Sequence, residues 1–251
     1  MMNDKNEISK VTKLFGYIGE FAGVSRFSAV SNKMFKQNSV DAMMIPMNIR
    51  EDDLYFTVSN MKKSQVNGAV ISSEYVDKIL DTLDSASSMV TRSGMCDIVY
   101  REGETLRGDI FSIRVLTEHL KDIMASKIAV IGVNHYAKAF SFLACGFSVS
   151  YFNENLEELM NFTAEVELPD ADINRIANGM DIDFASFDAV LDFSDMDNLS
   201  MVSTLAAFNY DMKNTKQTSA LHARAVQLDS TYTSYDDIID KLCANAYNLI
   251  K

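Results

Sequence analysis

The sequence predicts an α/β protein with parallel sheet. Short apolar runs alternate with helix-period patterns along the 251-residue chain. Lys127-Ile-Ala-Val-Ile131 reads as a buried strand that enters a turn at Gly132, then a helical stripe, then a second strand. That is a βαβ start, which requires a parallel sheet with right-handed crossovers. Two further runs, "CDIVY" and "TLRGD", flank Arg101-Glu-Gly-Glu104 and predict one antiparallel hairpin over 96–109.

The elements follow in order. "KLFGYIG" (13–19) predicts a strand, Phe27 to Gln37 a helix, and "AMMIPMNI" (42–49) the next strand. Arg50 to Met61 predicts a helix. Ala69 to Ser72 is a short buried strand, followed by a helix over Tyr75–Leu83. After the hairpin, Ile113, Leu116 and Leu120 mark one face of a helix over Ile113–Met124. In the βαβ unit, Ala137, Phe140, Leu143 and Ala144 form the helix stripe. Phe147, Val149 and Tyr151 alternate with serines as the second strand. "FDAVLDFS" (187–194) is a later strand of the same sheet. Ser234, with Asp237 three residues on, opens a last helix striped by Ile238, Ile239, Leu242, Ala246, Leu249 and Ile250.

Composition excludes several classes. The longest oily region, Ala125 to Phe152, is broken by Lys127, Asn134, His135 and Lys138, so it is a core segment and no membrane span. The opening "MMNDKNEISK" lacks the apolar stretch of a signal peptide, and a cytoplasmic protein is expected. Cys96, Cys145 and Cys243 are widely spaced and read as reduced core cysteines. Three scattered histidines give no metal-ligand spacing. A net charge of −12 opposes nucleic-acid and anionic-membrane partners. Much of the excess is local: residues 151–200 hold thirteen carboxylates and one basic residue, Arg175. That stretch is either a solvated acidic surface or a docking face for a basic protein partner.

The turn after Ile131 is the candidate cofactor site. A dinucleotide turn needs a glycine where the backbone meets the diphosphate and a small residue where helix and strand pack. Here Gly132 is present, Asn134 stands at the second glycine position and Ala137 at the third. The next strand ends in Asn153-Glu154-Asn155, and Glu154 would repel a 2′-phosphate. The expectation is no dinucleotide, or weakly held NAD.

The order of these pieces resembles shikimate dehydrogenase. The family's strand-to-helix motif is Asn-Val-Thr-Val-Pro-x-Lys after Gly-Ala or Gly-Phe; here Gly68-Ala69 is followed by Val70-Ile-Ser-Ser-Glu-Tyr-Val76. The family's asparagine falls on Val70, its threonine on Ser72 and its lysine on Val76. Spacing then holds without a gap to Gly94, and the asparagine of Ala-Val-Asn-Thr falls on Asp97. Gly-Asp-Asn-Thr-Asp-Gly falls on Gly108-Asp-Ile-Phe-Ser-Ile113, so the catalytic aspartate lands on Ser112. The Ser-x-Ser-Pro loop corresponds to Arg26-Phe-Ser-Ala29 and keeps Ser28. The substrate-binding glutamine of the last helix becomes Leu242.

The resemblance implies a two-domain architecture: a substrate domain over 1–112 with the C-terminal helix 234–251, and a Rossmann-like nucleotide domain over 113–233. It implies a pocket lined by Arg26, Ser28, Ser72, Glu74, Asp97 and Ser112, where Arg26 can clamp a small carboxylate. These can equally be ordinary surface or capping residues; Ser73, for one, can cap the helix after it. No catalytic residue is expected, because Val76 cannot move a proton and Ser112 is a poor substitute for a carboxylate. Lys78, two residues on, would face away on a helix. Three readings follow: an inactive member kept for binding, an active NAD-dependent oxidoreductase using Asp97 on another substrate, or an interaction module using residues 151–200 or the edge of the N-terminal sheet.

Overall fold

The computed structural model describes residues 12–212 and 219–250. The opening segment 1–11 and the side chain of Ile250 lie outside them. The chain divides into two compact units. The first comprises residues up to Ala86, Cys96–Asp109 and the chain from Cys243 on. The second comprises Ser87–Met95 and Ile110–Leu242.

In the first unit, β1 (Lys13–Gly19) lies between parallel neighbours β2 (Ala42–Asn48) and β3 (Val66–Ile71). The hairpin β5 (Ile98–Glu102) and β6 (Thr105–Asp109) adds antiparallel to β3, turning at Gly103, and short β4 (Ser85–Ala86) closes the far edge. Two helices accompany these strands, α1 (Phe27–Gln37) and α2 (Glu51–Asn60). Strand β1 is buried on both faces, with Phe15 and Tyr17 on one and Ile18 on the other; Tyr17 stacks on Phe27 at 5.2 Å and Phe35 packs on Tyr247 at 5.6 Å.

The edge strand β2 is protected. Asn32 of α1 donates to Met44 O at 2.9 Å and accepts from Met44 N–H at 2.8 Å, and Pro46 has no N–H. An added strand would find few free backbone groups there.

One expected helix is absent. Residues 75–83 form two short 3₁₀ turns, Ser73–Tyr75 and Leu80–Thr82, in place of an α-helix. The buried residues Val76, Ile79 and Thr82 recur every three positions, a spacing that the 3₁₀ repeat satisfies as well as an α-helix does. A short helix α3 (Ser88–Ser93), capped by Ser87 and ended at Gly94, lies in the stretch between the predicted elements.

The second unit is a parallel sheet flanked by helices. Its strands are β7 (Lys127–Ile131), β8 (Ser148–Asn153), β9 (Asp172–Arg175), β11 (Ala189–Asp192), β13 (Phe208–Asp211) and β14 (Thr233–Ser234). Their spatial order is β14-β13-β11-β7-β8-β9. Numbered from β7, this is the 3-2-1-4-5-6 order of the doubly wound dinucleotide fold, read from the other side. A separate pair, β10 (Ile182–Asp183) and β12 (Val202–Thr204), lies outside the sheet. Besides α3, its helices include α4 (Ser112–Asp122), α5 (His135–Leu143), α6 (Leu156–Glu165) and α7 (Ala220–Gln227).

Ser234 and Asp237 form the expected capping box, but it opens a 3₁₀ turn, Tyr235–Ile238, before α8 (Ile239–Ile250). Helix α8 passes from the second unit into the first at Leu242–Cys243. Ile238, Ile239, Leu242 and Ala246 are buried, and Leu249 is half-buried. Cys96 and Cys243 are core residues; Cys145 is exposed, because it follows α5 in the loop before β8. No described helix is long and apolar enough to cross a membrane.

Candidate functional sites in the two units

In the first unit the carboxyl ends of β1 and β3 lie side by side, since Ser72 N–H donates to Ile18 O at 2.8 Å. Ser72 and Glu74 of the predicted pocket meet here. Ser72 Oγ donates to Glu74 Oε2 at 2.5 Å, and Glu20 N–H donates to Glu74 Oε1 at 3.0 Å. The two residues thus close on each other and on the end of β1. A side chain at Gly19 would collide with both, at 2.8 Å from Ser72 Cβ and 2.9 Å from Glu74 Oε1. Glu20 escaped the sequence reading, although its place directly after the first strand of a parallel sheet was a usable signal.

Asp97 is buried beside the same end, where its carbonyl accepts from Ile71 N–H and its N–H donates to Asp109 O. The Cys96 thiol is pushed up by burial first and then by the Asp97 charge. Tyr75 Oη donates to Ile49 O, and its phenol is raised by burial, then by Glu20, Glu74 and Glu51.

Val76, which the sequence resemblance sets at the family's lysine position, is 2% exposed, and its carbonyl accepts from Cys96 N–H at 2.7 Å. Lys78 is paired with Glu51 at 2.6 Å and is no free base. Arg26 and Ser28 stand on the first turn of α1. Arg26 is the N-cap, makes no side-chain cap bond and is exposed. Ser28 is 6% exposed, and its Oγ has no hydrogen-bond partner among the described residues. Ser112 belongs to the second unit, where it is buried at the start of α4.

In the second unit the order of strands reverses between β7 and β11, and ligands of such sheets bind beyond the carboxyl ends at that point. Gly132 sits there at φ +90°, and a Cβ would lie 2.7 Å from Ser194 N and Cα. Asn134 is the N-cap of α5. Its Oδ1 accepts from Tyr136 and Ala137 N–H at 3.0 and 3.3 Å, and its Nδ2 donates to Phe193 O at 2.6 Å. The donors of the helix terminus, the usual seat of a diphosphate, already have an acceptor. Ala137 is buried, in keeping with close helix–strand packing.

At the end of β8, Asn153 Nδ2 donates to Glu158 Oε2 and Asn155 caps α6 through Glu157 and Glu158 N–H. Glu154 is exposed beside them. The described residues contain no group of three or more His, Cys, Asp or Glu able to hold a metal.

A parallel sheet in dinucleotide order, in a chain that also carries a mixed α/β unit, defines a two-unit protein with a Rossmann-type fold. Within that class the chain is shikimate-dehydrogenase-like. It is 28% identical over 131 residues to the shikimate dehydrogenase (NADP(+)) of Clostridium perfringens, covering 51% of this chain and 48% of that one. It is 26% identical over 166 residues to that of Dictyoglomus turgidum, covering 64% and 60%. The chain spans about half the length of the first of these relatives. No family model matches. In fold it is similar to the shikimate dehydrogenase of Aquifex aeolicus, with TM-score 0.76 at 14% identity over 98% of this chain and 94% of that one. It is equally similar to the 5-ketofructose reductase of Gluconobacter sp. strain CHM43, with TM-score 0.76 at 15% identity over 96% and 94%.

Proposed function

We propose that this shikimate-dehydrogenase-like protein binds a small carboxylate without oxidising or reducing it. The observation that carries the reading is Val76: an aliphatic, buried side chain where the family's proton-transferring lysine stands. Ser112 at the aspartate position supplies no second acid–base group. Each lost group costs ~10²–10⁴ in rate, about 3–5 kcal/mol of barrier. Carboxylate binding is supported by Arg26 at the start of α1, whose exposed guanidinium can clamp an anion, with the unbonded Ser28 hydroxyl two residues on.

The names of the two shikimate dehydrogenases specify NADP(+). The second unit of this chain does not suit that group. Asn134 takes the helix N–H groups, and Glu154 and Glu157 would face a 2′-phosphate with like charge. NAD, held weakly or not at all, fits better than NADP.

The test is purified protein with shikimate or quinate and either dinucleotide. Shikimate should bind in titration calorimetry, weakened by Arg26→Ala, while no NADH or NADPH accumulates above the buffer rate. Turnover on the order of 10 s⁻¹, the ordinary enzyme range, would overturn the reading. So would absence of any heat with either acid.

A further inference from the structure

The thirteen carboxylates of residues 151–200 do not share one role. Asp192 is buried and accepts from Ser194 N–H and Oγ; Asp188 holds Ser126 and Lys127; Asp172 accepts from Ser150; Glu165 pairs with Lys138. Glu154, Glu157 and Glu158 are different. They gather at the first turn of α6, all exposed, and no cation pairs with them among the described residues. Asn153 and Asn155 hold Glu158 by amide hydrogen bonds that leave its charge in place.

The same helix shows water an apolar stripe. Leu156 is 44% and Met160 63% exposed, and residues four apart are neighbours on a helix. Exposed Ala164 continues the row. The core face of α6 is separate, made of Leu159, Phe162 and Thr163.

An apolar stripe with Glu157 along one flank and Glu154 just before its first turn complements a helix with apolar anchors at the same spacing and a basic flank. We infer that the outer face of α6 docks a basic amphipathic helix of a partner protein. A second copy of this chain would bring the same acids against each other, and a phosphate-bearing surface would be repelled.

The test is fluorescence anisotropy of a labelled amphipathic Leu/Lys helix peptide against the full chain, with a scrambled Leu/Lys peptide of equal charge as control. Leu156→Ser with Met160→Ser keeps every charge; Glu154→Gln with Glu157→Gln keeps every apolar group. Each pair should weaken binding by about tenfold, and scrambling the peptide should do the same. Asp52→Asn with Asp53→Asn on α2 should leave it unchanged. The inference fails if the Leu156/Met160 pair binds as well as the parent, if the scrambled peptide binds equally, or if the α2 pair weakens binding as much. Melting curves of each variant establish that the fold is kept.

Discussion

Asn134 satisfies the start of α5 as a bound anion would, with one acceptor oxygen for two N–H groups. Replacing it with glycine restores the spacing of a dinucleotide turn and frees those donors. Glycine is itself a tolerable N-cap, so Asn134→Gly should cost about 1–2 kcal/mol, most of it the lost bond from Asn134 Nδ2 to Phe193 O. The variant should gain thermal stabilisation from millimolar NAD where the parent shows little; equal shifts would mean that Asn134 does not guard the site. Gly132 is the opposite case. At φ +90° with Ser194 backbone 2.7 Å from a Cβ, Gly132→Ala adds left-handed strain of about 1–3 kcal/mol to a clash that side-chain motion cannot relieve. Denaturant melts should show a loss at least that large. For Val76, the double variant Val76→Lys with Ser112→Asp should stay below ordinary dehydrogenase rates, since the ring of Glu74, Ser72 and Glu20 has closed on itself.

Elements in the second unit are tied by ionisable groups whose titration is predictable in sign. Asp188 Oδ2 accepts from Lys127 N–H, Ser126 N–H and Ser126 Oγ, joining the start of β7 to the start of β11. These bonds, led by Lys127 N–H, hold its carboxyl below the usual carboxylate range. A depressed folded value means stability present above the unfolded value of ~3.9 and lost as pH falls through the lower folded one. Asp188→Asn should cost about 2 kcal/mol at neutral pH and much less in acid, measured by urea melts. His119 of α4 contacts Lys241 Nζ at 2.9 Å, and Lys241 also pairs with Asp122. Burial first, then the Lys241 ammonium, lowers the imidazole. The unfolded chain therefore binds the proton more readily, and stability falls as pH drops below ~6.5. His119→Gln should flatten the melting temperature across that window; an unchanged slope would place the effect elsewhere.

At the scale of the whole molecule, the two units differed in how much of them could be read in advance. Strands 13–19 and 127–131 and the helix 27–37 stand where the pattern put them, because continuous apolar burial or a clear stripe leaves one choice. The helix over 75–83 failed because an apolar spacing of three satisfies a 3₁₀ turn as well as an amphipathic helix. The strands β9, β12 and β13 were not assigned: at three or four residues each they carry too little period to stand out. Of the site, the sequence carried the expectation of what is missing: by the resemblance a lysine at 76 and a carboxylate at 112, and by the turn motif a second glycine at 134. Such an expectation rests on residue identity and needs no coordinates. Tertiary structure decided what took their place: Glu74 bonded to Glu20 across 54 positions, Lys78 bound to Glu51 and Asn134 reaching Phe193 across 59. Those partners meet only because parallel strands set their carboxyl ends together, and a linear sequence does not record which distant groups the sheet will bring within hydrogen-bonding reach.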